Sequence, residues 1–349
     1  MKCDLNFQDN QVCFNIDGEL FESQNVDFLC KYGIKPSQIY NTYWKFAYER
    51  QHIFQLRRQN KQYPWTNNDI LMKYKFTNTY RASDRVSQYL IKNVIYPDER
   101  DLFSPEDMLF RIVLFKTFNK IETWETLEKT LGRIDYASYS FERYNSVLMD
   151  LLEKGERIYS AAYIMPSALF FGMKRKHQNN LKLIEMMMSN NTVRQIAKAH
   201  NLKDLFDILI EFPSVGKFLA YQYSIDINYS ELCDFNEMDF VVAGPGAHSG
   251  ISKLFIDNNG YSDEFIIKLL AENQEREFER LGLCFDYIGD RKLQLIDCQN
   301  IFCETDKYTR VAFPHIKGKS NRSRIKQLFT PNLSEPIIYF YPPKWRIKM

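Results

Sequence analysis

Metal-binding spacings are missing from this chain. Its seven cysteines (Cys3, Cys13, Cys30, Cys233, Cys284, Cys298 and Cys303) are odd in number and form no C-x-x-C. None of the five histidines completes a zinc set. No metal is therefore expected, and the thiols read as free groups in a reducing cytosol. No apolar run approaches the ~18 residues of a membrane span, and the opening M-K-C-D-L-N-F lacks an apolar signal core. The expectation is a cytoplasmic protein that makes no membrane contact. Internal repeats, low-complexity blocks and long linkers are absent as well. So is a charge of one sign: 46 Lys and Arg stand against 44 Asp and Glu, and the net charge of +2 does not by itself demand nucleic acid.

What is present is enough chain for a large core. The 349 residues, with 45% hydrophobic content, suit one large domain or two lobes. Aromatics are abundant at 15%, and beyond filling a core, a surplus of Tyr and Trp suits stacking surfaces. The charge is also uneven. From Lys307 to Met349 ten Lys or Arg face one acid, Glu335, and Gln51 to Tyr63 carries Arg57, Arg58 and Lys61 with no acid. Basic patches on a nearly neutral protein fit a DNA-facing side.

Along the chain, residues 1–34 read as a β-rich extension, because L-N-F-Q-D-N-Q-V-C-F-N-I-D-G-E-L-F alternates polar and apolar positions with D-N and D-G turn signals. Residues 35–349 read as a helical domain with a basic C-terminal segment. Tyr40, Tyr43, Trp44, Ala47 and Tyr48 form one helical face. The string from Pro64 to Val86 is then dense in groups costly to bury unpaired, with a helix expected from near Asn78 on which Asp84 can pair with Arg81. Ser104, Pro105, Glu106 and Asp107 make a clean helix start, and Asn119 closes the apolar face that follows. A further helix is expected from about Ser262 to Leu281.

The most distinctive stretch begins at about residue 203. Leu205, Leu209 and Phe212 form one apolar stripe, and Phe218, Leu219 and Tyr223 begin another. Between them Pro213 stops the first helix and Gly216 permits a tight turn. The result is a helix–turn–helix at about 203–226 whose second helix opens with outward amides, a phosphate site indifferent to base sequence. About twenty residues further on, Asp239 sits beside Gly244, Pro245 and Gly246, where backbone can approach a ligand. A phosphate anchor followed by one carboxylate resembles the helix-hairpin-helix DNA glycosylases, whose hairpin reads L-P-G-V-G where this one reads F-P-S-V-G.

Other strings resemble a particular group: F-A-Y-E-R, P-W-T-N-N-D-I-L, F-T-N-T-Y-R-A-S-D-R, F-N-K-I-E-T-W, D-F-V-V-A-G-P-G-A-H-S-G-I, C-Q-N-I-F-C-E-T-D-K-Y and Y-P-P-K-W. Together, over roughly residues 40–345, they look like the helical domain of 5-hydroxymethyluracil DNA kinases and of the α-glutamyl/putrescinyl-thymine pyrophosphorylase group. The resemblance implies work on modified pyrimidines in DNA. Kinase relatives carry a P-loop, and the sequence contains no G-x-x-x-x-G-K-[ST], which turns the reading away from the kinases. The four-Cys iron–sulfur loop of some glycosylases is absent too.

The reading is an all-α, two-lobed, helix-hairpin-helix glycosylase-like enzyme acting as a monomer and without cofactor on double-stranded phage DNA carrying modified bases, in anti-phage defence. It would flip a 5-substituted pyrimidine and excise it. Asp239 would be the catalytic carboxylate, stabilising charge on the sugar. Trp65, Asn78, Tyr80, Arg81, Asp84, Phe118 and Asn119 would line the base pocket. Ser214, Gly216, Lys217, Gly244, Gly246, Arg322 and Arg324 would meet the DNA backbone. Phe218 stands where a lyase Lys would sit, so the glycosylase would be monofunctional. The alternative is a transferase that hypermodifies an activated 5-hydroxymethyluracil in DNA, and a third reading is a non-catalytic reader of modified DNA.

Overall fold

A computed structural model describes residues 26–98, 103–161, 165–189, 191–320, 322–333 and 339–347. The described chain divides into two compact units. One takes the residues up to Ser83 and from Ala243 to Tyr339; the other takes Asp84 to Val242 together with Phe340–Arg346. The first unit opens with α1 (Asp27–Cys30), β1 (Lys35–Pro36), α2 (Asn41–Arg58) and α3 (Asp69–Lys73). The second holds α4 (Arg85–Tyr89), a π-helical stretch (Leu90–Ile95), α5 (Pro105–Phe118), α6 (Ile121–Leu131), α7 (Phe141–Glu153), α8 (Lys176–Ser189), α9 (Thr192–Ile196), α10 (Leu202–Ile210) and α11 (Lys217–Asn228). The first unit then resumes with α12 (Pro245–Leu254), β2 (Phe255–Asp257), α13 (Asp263–Glu272), α14 (Gln274–Arg280) and α15 (Leu295–Ala312).

The described residues are all-α apart from one small antiparallel pair, in which Lys35 of β1 faces Asp257 of β2. Residues 1–25 of the β-rich extension read for 1–34 lie outside the described residues, and within its remainder the chain is helical at α1 rather than extended. No described helix is long and apolar enough to cross a membrane.

In the first unit α12 lies flat against α15. A Cβ on Gly250 would stand 2.3 Å from the Phe302 carbonyl oxygen, and one on Gly246 would stand 2.8 Å from the Cys303 Sγ. Only hydrogen fits at either point. The same approach brings Ser249 and Lys253 onto Asp306, whose carboxylate accepts from Ser249 Oγ at 2.8 Å and pairs with Lys253 at 2.9 Å and Arg310 at 2.5 Å.

Two helices depart from expectation, one through distant partners and one through a local side chain. The helix read from near Asn78 is instead a 3-10 turn over Arg81–Ser83, with α4 starting only at Arg85. Tertiary hydrogen bonds win there: the Arg81 N–H goes to Asp297 at 2.8 Å and the Tyr80 hydroxyl to the Arg291 carbonyl at 2.5 Å. The helix read over Ser262 to Leu281 breaks at Asn273, whose side chain turns back onto the Leu269 carbonyl at 2.8 Å.

The second unit is built around α5. Ser104 and Asp107 cap it reciprocally, with Pro105 at its first position. From Leu109 to Phe118 every residue is buried, two cations included. Arg111 donates to the carbonyls of Val94 at 2.9 Å, Ile134 at 2.7 Å and Asn93 at 3.2 Å, which fastens the π-helical stretch to α5. Burial lowers the Arg111 pKa to about 10, which leaves it charged at neutral pH. Lys116 pairs with Asp226 of α11 at 2.9 Å, both side chains 2% exposed.

Breaking a buried pair strands a charge, at a cost of about 3–5 kcal/mol. We expect Lys116→Met or Asp226→Asn alone to lower unfolding free energy by that amount in denaturant titration. The combined Lys116→Met/Asp226→Leu protein should recover much of the loss, and additive losses would show that the pair is not the reason.

Candidate nucleic-acid interface

The hairpin of the second unit consists of α10, a turn and α11. Asn201 caps α10 by accepting the Asp204 N–H at 2.9 Å. Leu205, Leu209, Phe212, Val215 and Leu219 are buried and hold the two arms together. At the turn Ser214 takes φ +68°, the left-handed conformation that suits glycine, at the position where the resembling L-P-G-V-G hairpins have Gly. Gly216 is the N-cap of α11, with open space where a side chain would stand and no side-chain cap. Ser214, Gly216 and Lys217 are all exposed. The apex is therefore a helix start without a side-chain cap, flanked by one cation.

Past α11, the Y-P-P-K-W string pins the chain. Lys344 donates to the carbonyls of Ser230 at 2.9 Å and Cys233 at 2.6 Å, while the Trp345 ring stands edge-on to Tyr229. Asp239 follows in an exposed turn, where its carboxylate accepts from Asn236 at 2.8 Å. A carboxylate that stabilises a sugar cation works from a water-excluded site. Asp239 is not in one.

The residues expected to line a base pocket fall in both units. Trp65, Asn78, Tyr80 and Arg81 belong to the first, and Asp84, Phe118 and Asn119 to the second. Most carry structural bonds. Trp65 donates to the Lys61 carbonyl at 2.8 Å, with the Arg57 guanidinium over its face and Tyr63 edge-on. Asn78 accepts from Arg50 at 3.1 Å and donates to the Ser83 carbonyl at 2.7 Å. Arg81 is 1% exposed. Asp84 is the N-cap residue of α4, though its side chain makes no capping bond. The Phe118 ring lies 5.1 Å from that of Tyr159, and Asn119 ends α5 at φ +50°.

Of the expected backbone contacts, Gly244 is buried as the N-cap of α12, and Gly246 spends its missing side chain on Cys303 rather than on a ligand. Arg322 and Arg324 are exposed in an irregular segment, where the Arg324 carbonyl accepts from Arg310. A basic group escaped the sequence reading. Lys174, Arg175 and Lys176 line a pocket of about 490 Å³ together with Arg157 and Tyr159, and their adjacency in K-R-K was the available signal. Among the described residues no group of three or more His, Cys, Asp or Glu could hold a metal ion.

A helical protein with an exposed hairpin apex and scattered basic groups belongs to a broad class, and comparison with known sequences narrows it. The family described as 5-hmdU DNA kinase, helical domain, matches residues 37–318, and the chain belongs to that family. The 5-hmdU DNA kinase of Bacillus phage SP10 is 26% identical over 312 residues, covering 82% of this chain and 48% of that protein. The chain thus spans about half the length of the curated relative it matches. No solved structure matches it significantly. These matches correct the functional reading: the family is named for the helical domain of a 5-hmdU DNA kinase and not for an excising enzyme, so the monofunctional N-glycosylase, a hydrolase, is set aside, and with it the excising role of Asp239.

Two outcomes follow from this geometry. Burial works to raise the Asp306 pKa, but the hydrogen bonds from Arg310, Lys253 and Ser249 outweigh it and hold the group below its ordinary value. The stability it contributes is then full above the unfolded-state pKa of about 3.9 and disappears as pH falls through the lower folded value. Asp306→Asn should be less stable than wild type at pH 7, with the gap closing in acid; a gap that widens below pH 4 would contradict the account. At the hairpin, Ser214→Gly should unfold no earlier than wild type in thermal melts, whereas Ser214→Val should be about 1–2 kcal/mol less stable than the glycine variant through the left-handed backbone. Equal melting of both variants would mean the turn does not hold that conformation.

Proposed function

We propose that this chain engages DNA containing 5-hydroxymethyluracil and presents that base for group transfer, as the helical part of a transferase that modifies the base while leaving it attached. The family match over residues 37–318 carries the reading. The exposed hairpin apex supports it, because a bare helix start accepts phosphate without regard to base sequence. A G-x-x-x-x-G-K-[ST] string is not among the 349 residues, so the part proposed for them is engagement of the base rather than a P-loop donor site. Transfer to the 5-hydroxymethyl oxygen needs that base clear of the stack, at an unstacking cost of a few kcal/mol.

The test compares duplexes that differ at one position, 5-hydroxymethyluracil against thymine. One additional hydroxyl held by a hydrogen bond contributes about 0.5–1.5 kcal/mol, so the modified duplex should bind roughly two- to tenfold tighter in fluorescence anisotropy. Nucleoside mass spectrometry of the incubated DNA should find the base still on its sugar. Equal affinity for both duplexes, or no binding to either, would end this reading.

A further inference from the structure

Ala168 to Lys176, in the second unit, form a short finger with unusual composition. Leu169 and Phe170 are 75% and 69% exposed at its tip, although leaving such side chains in water is unfavourable. The tip is a 3-10 turn over Leu169–Phe171, bracketed by left-handed backbone at Ala168 (φ +47°) and Gly172 (φ +67°). Its base is fastened to α8 by two buried amides. Asn179 donates to the carbonyls of Met173 at 3.0 Å and Arg175 at 3.1 Å and accepts the Met173 N–H at 2.9 Å, while Asn180 donates to the Pro166 carbonyl at 3.1 Å. The apolar tip is thus held out by a built support.

Immediately behind it the chain turns basic. Lys174, Arg175 and Lys176 join Arg157 around the pocket, where Glu156 is the only carboxylate among the lining residues. Among the described residues none of the four cations has an ion-pair partner. The Lys176 ammonium sits 4.3 Å above the Tyr159 ring, which leans on Phe118. Cations left unpaired beside an exposed apolar tip are complementary to a phosphate backbone with stacked apolar bases inside it. Architectural DNA-binding proteins insert Leu or Phe between base steps in this manner, with Lys and Arg on the flanking phosphates.

We propose that the finger is a DNA wedge: Leu169 and Phe170 enter the base stack while Arg157, Lys174, Arg175 and Lys176 hold the neighbouring phosphates. The inference rests on the DNA-engaging reading above and adds the element that opens the duplex. Filling the gap beside an extruded base offsets part of its unstacking cost.

The experiment uses the full chain and a duplex with 2-aminopurine next to 5-hydroxymethyluracil, since 2-aminopurine brightens when unstacked. Wild-type protein should raise its fluorescence severalfold at saturation. Leu169→Ser/Phe170→Ser, which changes only exposed side chains, should still bind but lose most of that rise. Lys174→Gln/Arg175→Gln should weaken binding and reduce the slope of log affinity against log salt by about two units, with the rise retained at saturating protein. A full rise in the serine variant overturns the wedge, as does an unchanged salt slope in the glutamine variant. So does a smaller sedimentation mass of the free serine variant, which would mark the tip as a contact between two copies of this chain. Wild-type protein that binds the duplex without brightening it overturns the wedge alone. Wild-type protein that does not bind DNA overturns both this inference and the function it rests on.

Discussion

Helix α12 meets α15 backbone to backbone, and the first unit is arranged about that contact. Gly250 leaves room for the Phe302 carbonyl and Gly246 for the Cys303 thiol. A larger residue at Gly250 would meet backbone and push the helices apart, and one at Gly246 would displace the Cys303 side chain. Their closeness allows Lys253, Arg310 and Ser249 to surround one buried carboxylate, Asp306, which would be costly to bury alone. The other face of α15 holds the chain on both sides of α3 through Tyr308, which accepts from the N-cap Asn68, and Glu304, which accepts the Thr77 N–H. The strings G-P-G-A-H-S-G-I and C-Q-N-I-F-C-E-T-D-K-Y, prominent in the family resemblance, are thus the two sides of a single packing contact.

The second unit solves a similar problem with α5. A helix buried on every side cannot be amphipathic in the usual sense, and its two cations are satisfied by carbonyls and by Asp226. Because Asp226 lies on α11, the pair also fixes the second arm of the hairpin. Its apex stays exposed while the apolar faces of its arms are buried. The finger on α8 follows the same plan, with Asn179 and Asn180 buried beneath an exposed tip. In both cases exposed groups stand on a buried, hydrogen-bonded base, which would limit the ordering entropy lost in the proposed DNA binding.

Local signals in the sequence were legible where local physics decides structure. The Ser104 start of α5 and the stop at Pro213 followed from capping and from proline geometry, and the all-α class followed from helical periodicity. Reading failed where distant partners decide. The polar string from Asn78 to Arg85 looked like a ligand pocket because its hydrogen-bonding groups had no visible partners; they belong to Arg50, Asp297 and Arg291, far away in sequence. Gly246 looked like a ligand approach for the same reason, since the Cys303 that fills its space lies some sixty residues on. Asp239 was chosen by its distance from the hairpin, a criterion blind to exposure. K-R-K at 174–176 and the apolar Leu169–Phe170 ahead of it were overlooked because short mixed runs have no periodicity to announce them.

Membership of the 5-hmdU DNA kinase helical-domain family, an exposed hairpin apex and a basic, apolar-tipped finger converge on one account, in which the chain grips DNA and exposes a modified pyrimidine. Amide hydrogen exchange with and without a duplex carrying 5-hydroxymethyluracil tests this most directly. The account predicts slowed exchange at Ser214–Leu219 and at Leu169–Lys176, with the buried amides of α5 unchanged. Slowed exchange at neither segment, under conditions where the duplex is bound, would contradict it.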